Sequence, residues 1–170
     1  MVAISQDALT QVSTDATSDF VQSFYNALQS ARASISSFYC SAPVSILFNG
    51  NIVTDGSSVQ DIFLNQIPPA HYEVQSYDCQ LLNANYPTTA GSSTTAAGRP
   101  GARSTSRNMS LLVLVSGFVR FGDGRESFDM PNRGFSETFV LIPNPELDGG
   151  SKRRDKKHWL IQSQNFRLVV

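Results

Sequence analysis

An arginine stands among apolar residues near the end of the chain, and its charge is the first feature that could do chemistry. In the segment Asn165-Phe166-Arg167-Leu168-Val169-Val170 the side chains alternate between the two faces of a β-strand. A guanidinium on an apolar sheet face is costly to bury unless a carboxylate pairs with it. Arg167 therefore predicts an ion pair, and its carboxylate comes from Asp78, from Glu137 or from a bound partner.

Residue types suited to acid–base catalysis are few and scattered. The two histidines are His71, which follows a Pro-Pro-Ala run, and His158, which adjoins a basic run. Both are predicted to lie in solvated loops. Asp78, Tyr77 and Tyr39 could converge and supply the polar pair that isomerases and dehydratases require. A small enzyme of that type is one interpretation that the sequence leaves open.

Composition indicates one folded domain over residues 1–170. The chain is 41% hydrophobic and 10% aromatic, which is typical of a globular protein. No apolar run approaches the roughly 20 residues of a membrane span, so membrane insertion is not expected. The first residues lack a basic and an apolar stretch, so secretion is not expected.

Cys40 and Cys79 lack zinc-site spacing and are interpreted as buried, reduced thiols of an intracellular protein without a cofactor.

Positive charge is concentrated in two segments that are long for loops. Eight of the thirteen basic residues lie within residues 83–108 and 143–158, whose small and polar composition predicts mobile loops. The second segment carries a dense basic run, which comprises Lys152, Arg153, Arg154, Lys156 and Lys157. This basic run could contact RNA phosphates or act as a nuclear import signal. It could equally be a solvated hairpin tip.

Helices are predicted in the first half of the chain. Apolar residues at three- and four-residue steps predict a helix over residues 13–31, capped by Ser13 or Thr14. An earlier start is left open, since Leu9 and Val12 extend the apolar stripe. A short helix is predicted over 33–39, and a third over 57–67. These helices precede most of the predicted strands.

Strands are predicted from residue 44 onward, and most of them lie in the second half of the chain. A first strand over residues 44–48 is followed by Asn49-Gly50-Asn51, which is a strong hairpin signal. From residue 72 the period changes to two, which predicts strands over 72–82, 109–121, 135–142 and 159–169. Helices followed by an antiparallel meander indicate an α+β fold, with the helices on one face of a curved sheet.

The strand predicted over residues 109–121 is apolar on both faces. Leu112, Leu114 and Phe118 alternate with a second apolar set that includes Leu111 and Val113. Helices can cover only one face, whereas a solvated face would be polar. Covering the other face requires a further layer, most simply a second protein, unless the chain's own loops bury it. We therefore expect a stable dimer.

Six short motifs follow one another along most of the chain. They are Phe20-Val21 through Tyr25, Leu47-Phe48-Asn49-Gly50-Asn51, Asp78-Cys79-Gln80, Gly117-Phe118-Val119-Arg120-Phe121, Phe135-Ser136-Glu137-Thr138-Phe139-Val140-Leu141, and Trp159-Leu160-Ile161 through Phe166-Arg167. In this order and spacing they resemble the nuclear transport factor 2-like family, and within it the small subunit of the heterodimeric mRNA export receptor. Each motif is weak alone, and the match is specific because all six occur in order. The 83–108 segment and the basic run lie outside the common pattern.

The resemblance implies a cone-shaped α+β fold, with three helices from the N-terminal half packed on a strongly bent antiparallel sheet. It also implies a dimer in which exposed sheet faces pack together and Arg167 pairs with an acid of the large subunit. The residues expected at this interface are Arg167, Asp78, Gln80, Leu112, Leu114, Phe118, Glu137 and Phe139.

The function that the resemblance implies is that of a non-catalytic adaptor in mRNA export. Such a chain would form a heterodimer with the nuclear transport factor 2-like domain of the large export receptor. The pair would bind phenylalanine-glycine nucleoporins, with the basic loops contacting RNA. The chain would shuttle between nucleus and cytoplasm through the nuclear pore.

A homodimeric import factor for the GTPase Ran is the alternative within the same family. In that relative an acid precedes the glycine of the first hairpin, and a cluster of acids follows the long strand. Here the first position is Asn49, and the second region, Phe121-Gly122-Asp123-Gly124-Arg125, holds one acid and an arginine. Both departures favour the export adaptor.

Overall fold

Helices form the first part of the chain, and they pack on one face of a single six-stranded sheet. The computed structural model describes residues 5–41, 43–87, 108–122, 131–147 and 156–169. The α+β class and the three helices of the N-terminal half are confirmed. None of the described helices is long and apolar enough to cross a membrane.

The first helix, α1 (Gln6–Ser30), begins before residue 13, which is the earlier start that the apolar stripe left open. Ser5 is the N-cap, because its hydroxyl oxygen accepts a hydrogen bond from the backbone N–H of Ala8 at 3.2 Å. Ser13 lies inside the helix, where its hydroxyl donates to the carbonyl of Thr10. The prediction that the helix is capped at Ser13 or the next residue was therefore wrong.

Two short helical segments complete the helical layer. They are a 3₁₀ helix, Arg32–Phe38, and helix α2, Gly56–Asp61, which continues as a π-helical turn over Ile62–Gln66. The guanidinium of Arg32 joins them by donating hydrogen bonds to the carbonyls of Phe63, Ile67 and Pro68. All three predicted helices are thus present at their expected places.

The strands are β1 (Ser45–Phe48), β2 (Asn51–Val53), β3 (Ala70–Asn83), β4 (Ser110–Phe121), β5 (Arg133–Pro143) and β6 (Trp159–Leu168). Their order across the sheet is β2-β1-β6-β5-β4-β3. Every pairing is antiparallel except that of β1 with β6. The sheet is therefore mixed rather than wholly antiparallel, because β1 lies beside the last strand and runs in its direction. Register shifts in the β3–β4 and β5–β6 pairings mark bulges, which bend a sheet.

The predicted hairpin between β1 and β2 is confirmed. Asn49 and Gly50 both have positive φ, 49° and 85°, as a two-residue type I′ turn requires. The amide side chain of Asn49 also accepts a hydrogen bond from the backbone N–H of Leu168 at 2.8 Å. The backbone N–H of Asn49 donates to the carbonyl of Phe166 at 2.9 Å. The turn therefore fastens the end of β6 to the body of the domain.

The hydrophobic core lies between α1 and the sheet. Rings of Phe20 and Phe24 on α1 meet the ring of Phe139 edge-on, with centroids 5.1 and 5.3 Å apart. All three side chains are buried, and burying a phenylalanine contributes about 1.5–3 kcal/mol. This packing fixes which face of the sheet the helices cover.

Candidate functional site: the exposed face of the sheet

Strand β4 shows that the sheet has one covered and one open apolar face. Leu111, Val113 and Val115 are buried under the helices. The alternate residues Leu114 and Phe118 are each 43% exposed. The two-faced character predicted for this strand is therefore confirmed. We call the side of the sheet that carries Leu114 and Phe118 the exposed face.

Strand register defines the composition of the exposed face. Three rows cross β3, β4, β5 and β6: Ser76, Ser116, Ser136 and Arg167; Asp78, Leu114, Thr138 and Asn165; Gln80, Leu112, Val140 and Ser163. A fourth row pairs Glu73 with Phe118. Six of the predicted interface residues lie on this face, namely Arg167, Asp78, Gln80, Leu112, Leu114 and Phe118. Their contact with a partner stays a prediction.

The other two predicted interface residues, Glu137 and Phe139, lie on the covered face. Glu137 is 2% exposed and Phe139 is fully buried beneath α1. A partner on the exposed face cannot reach either side chain, so their prediction as contact residues was wrong. Alternation correctly placed the two on one face of their strand, but it could not say which face the helices cover.

Arg167 is exposed and forms no ion pair with any acid in the described part of the chain. Glu137 points to the opposite face, because it pairs with Phe166 in the β5–β6 register. Asp78 lies on β3, three strands from β6, which is about 14 Å at the usual strand spacing of about 4.8 Å. Neither proposed intramolecular carboxylate therefore reaches Arg167, and water solvates its charge.

A buried polar network surrounds Glu137 on the covered face. The Tyr25 hydroxyl donates to one carboxylate oxygen at 2.5 Å, and the Gln164 amide donates to the other at 2.6 Å. Tyr39 in turn donates to the amide oxygen of Gln164. Burial raises the pKa of Glu137 to about 7, although both hydrogen bonds oppose the rise. Burial also raises the pKa of Tyr25 and of Tyr39.

This network does not form an open catalytic site in the described residues. Neither Glu137 nor Tyr25 lines any of three cavities found among the described residues, although Tyr39 lines one of them. The convergence considered for Asp78, Tyr77 and Tyr39 does not occur, because Tyr39 is buried in the core and Asp78 is on the exposed face. Tyr77 instead lies within 3.1 Å of the Ser18 hydroxyl on α1.

Two residues of the basic run have contacts within the chain. Lys156 forms an ion pair with Glu146, and the Lys157 ammonium lies 4.4 Å above the ring of Phe38. Lys152, Arg153 and Arg154 lie outside the described residues, as does most of the 83–108 segment. A role for the basic run in RNA binding or nuclear import stays a prediction.

Sequence reasoning missed several residues of both faces. Leu47 and the 83% exposed Ile52 extend the exposed face across β1 and β2. Their strands are too short for alternation alone to assign a face. Tyr25 and Gln164 complete the network of Glu137. A glutamate flanked by phenylalanines two residues away on each side was the available signal of a buried carboxylate.

The comparisons with known proteins agree with this geometry. A family model described as "Nuclear transport factor 2 (NTF2) domain" matches residues 16–167. The chain therefore belongs to the NTF2 domain family. No curated protein sequence matches the chain.

Solved structures of two kinds are among those that resemble the chain. The structure described as the Chaetomium thermophilum Mex67 NTF2-like domain complexed with Mtr2 matches at a TM-score of 0.75 and 23% identity, covering 92% of this chain and 98% of that one. One described as Sac3N peptide bound to Mex67:Mtr2 matches at 0.72 and 23%, covering 92% and 99%. Nuclear transport factor 2 from Cryptosporidium parvum matches at 0.59 and 20%, covering 92% and 94%. At these identities the likeness shows the fold.

Proposed function

We propose that this chain is a non-catalytic adaptor subunit in mRNA export. It binds the NTF2-like domain of a large mRNA export receptor through the exposed face of its sheet. The pair then carries mRNA–protein particles through nuclear pores by binding phenylalanine-glycine nucleoporins, and the chain shuttles between nucleus and cytoplasm. The structures described as Mex67:Mtr2 complexes support a partner of this kind, because they resemble this chain more strongly than the Ntf2 homologue does.

The observation that carries the proposal is the open apolar face. Leu114, Phe118 and Ile52 are large apolar side chains left in water on one side of the sheet. Four long strands about 4.8 Å apart and about 33 Å long give this side roughly 600 Å². A standard interface buries about 800 Å² per partner, so the four long strands supply about three-quarters of that area, and β1, β2 and the rim extend it.

The charge of Arg167 on this face favours a partner with a fitting acid. Arg167 is solvated in the free chain, and a docked protein would exclude that water. Leaving a buried charge unpaired costs about 3–5 kcal/mol, whereas a carboxylate across the interface removes most of this cost and fixes the docking register. The partner therefore presents an acid opposite Arg167.

Neither alternative function gains support from the site. At the hairpin position where the Ran import factor carries an acid, Asn49 uses its amide to hold Leu168. The NTF2 fold also includes enzymes, and here the buried Glu137 already has hydrogen bonds to Tyr25 and Gln164. Asn49 and Glu137 thus have structural roles.

Co-expression tests the proposal directly. The full chain would be produced together with the NTF2-like domain of the large export receptor from the same organism, and the mixture would be analysed by size-exclusion chromatography with light scattering. The proposal predicts a 1:1 complex that is lost in a Phe118→Arg variant. Separate elution of the two proteins, each correctly folded, would refute it.

A further inference from the structure

A second surface, on the helical side of the domain, is also shaped to bind a ligand. A cavity of about 420 Å³ lies between α1 and residues 156–159. This volume falls within the roughly 300–1,000 Å³ of typical ligand sites. None of the predicted interface residues lines it, so it is separate from the exposed face. We call it the helical groove.

The floor of the helical groove is aromatic. It is formed by Phe20, Phe38 and Trp159, whose side chains are all largely buried. The rings of Phe20 and Phe38 meet edge-on, with centroids 6.3 Å apart. Aromatic rings prefer edge-to-face or offset contacts with one another. A floor of this kind suits an aromatic side chain inserted from outside.

One rim of the groove is acidic, and no cation in the described part of the chain pairs with it. Helix α1 carries three aspartates and no lysine or arginine. Asp15 and Asp19, one turn apart, both line the groove. Asp15 accepts a hydrogen bond from the amide of Gln11 at 2.9 Å. Neither aspartate forms an ion pair with any cation in the described ranges.

The opposite rim, residues 156–159, is held in place by hydrogen bonds, and its two lysines already have contacts within the chain. Asn144 binds this rim twice, because its side chain donates to the Lys157 carbonyl at 2.8 Å and its backbone N–H donates to the His158 carbonyl at 2.9 Å. Lys156 pairs with Glu146, and Lys157 lies over Phe38. These two lysines therefore do not pair with Asp15 or Asp19. A pre-formed rim also lowers the ordering cost of binding.

From the aromatic floor and the acidic rim, we propose that the helical groove binds a short peptide segment with an aromatic residue followed by basic residues. The aromatic side chain enters between Phe20 and Trp159, and the cations that follow it meet Asp15 and Asp19. The inference is independent of the proposed function, since the groove and the exposed face share no residue. A partner could occupy the exposed face while the peptide is bound.

Fluorescence anisotropy with defined peptides tests this inference. The probe is fluorescein-labelled GSGFKKGSG, compared with GSGAKKGSG and GSGFEEGSG, titrated with the full 170-residue chain. We expect saturable binding of the first peptide alone. Asp19→Lys should weaken it about fivefold or more, since losing one exposed ion pair costs up to about fivefold and the new lysine also repels the cations of the peptide. Ser23→Trp, at an exposed position on the groove wall, should abolish it.

Controls separate the groove from general charge effects. Asp61→Lys changes the net charge equally on α2, at an exposed position outside the groove, and should leave binding unchanged. Circular dichroism confirms that each variant is folded. Backbone amide NMR shifts should move along α1 and residues 156–159. The inference is overturned by equal binding of all three peptides, by equal weakening in Asp61→Lys, or by shift changes confined to the exposed face.

Discussion

Glu137 and Arg167 lie on opposite faces of neighbouring strands, because Glu137 pairs with Phe166 while Arg167 pairs with Ser136. One charge is thereby buried under the helices, and the other is presented to water. The carboxylate of Glu137, which the sequence offered as a candidate partner for Arg167, is therefore unavailable to it. Changes at Glu137 should therefore affect the stability of the chain, whereas changes at Arg167 should affect partner binding. The two effects can be tested separately.

The first prediction concerns the acid that Arg167 meets in a complex. Arg167→Asp should abolish binding of the large receptor domain, because two carboxylates would then face each other in a water-poor interface. Changing the facing acid of the partner to arginine should restore binding, which isothermal titration calorimetry would measure. Arg167→Lys serves as a control that keeps the charge. Failure of the charge swap to rescue binding would remove Arg167 from the interface.

The second prediction concerns the apolar part of the exposed face. Leu114→Arg and Phe118→Arg should each prevent heterodimer formation, because they place a charge in the centre of the buried surface. Both positions are already exposed in the free chain, so the melting temperature should change little. Leu64→Arg is the matched control, since Leu64 is 47% exposed on the π-helical turn, away from this face. Equal loss of binding in all three variants would argue against a specific docking face.

The third prediction concerns pH and Glu137. Its pKa is raised from 4.5 to about 7 by burial, so between these values the folded chain keeps a proton that the unfolded chain has released. Rising pH therefore favours unfolding, and the free energy of unfolding should fall by roughly 3 kcal/mol from pH 4.5 to above pH 7. Urea unfolding at a series of pH values measures this loss.

Variants assign the pH effect to its residue. Glu137→Gln should flatten the decline in stability and make the chain more stable than the wild type above pH 7, because no buried charge then forms. Glu73→Gln, which removes an exposed carboxylate on β3, should leave the decline in place. An unchanged pH profile in Glu137→Gln would show that another group controls it.

The fourth prediction concerns the turn that holds β6. Asn49→Ala should lose the hydrogen bond to Leu168 and strain the backbone at positive φ, for a total of about 2 kcal/mol. Asn49→Gly relieves the strain and should lose only about 1 kcal/mol. Hydrogen exchange should report faster opening at the Leu168 amide in both variants. Full protection of that amide in Asn49→Ala would show that the side chain does not hold the strand.

The fifth prediction concerns the basic run. Replacing Lys152, Arg153, Arg154, Lys156 and Lys157 with serine should reduce RNA crosslinking of the heterodimer and lessen its salt dependence, because each phosphate contact releases counterions. Heterodimer formation should not change. Unaltered crosslinking would end the RNA role for this segment.

The sequence patterns predicted more of the fold than of the candidate site. Alternation in β4 indicated two apolar faces, and Asn49-Gly50 predicted the turn between β1 and β2. Both features could be predicted because their signals are local in the sequence. The side on which Glu137 and Phe139 lie depends on where α1 packs, which is a long-range contact that periodicity does not encode. Ser5 was missed as the N-cap because Ser13 also fits the local rule, and only the packing of the preceding turn decides between them.

The most direct test of the central claim is the identity of the protein that covers the exposed face. The tagged chain would be purified from its own cells, with its stoichiometric companion identified by mass spectrometry and the contact mapped by hydrogen exchange. The account predicts an equimolar large mRNA export receptor that protects β4 around Leu114 and Phe118, and its loss in Phe118→Arg but not in Leu64→Arg. A self-paired chain whose main companion is Ran, or a companion that leaves β4 unprotected, would contradict it.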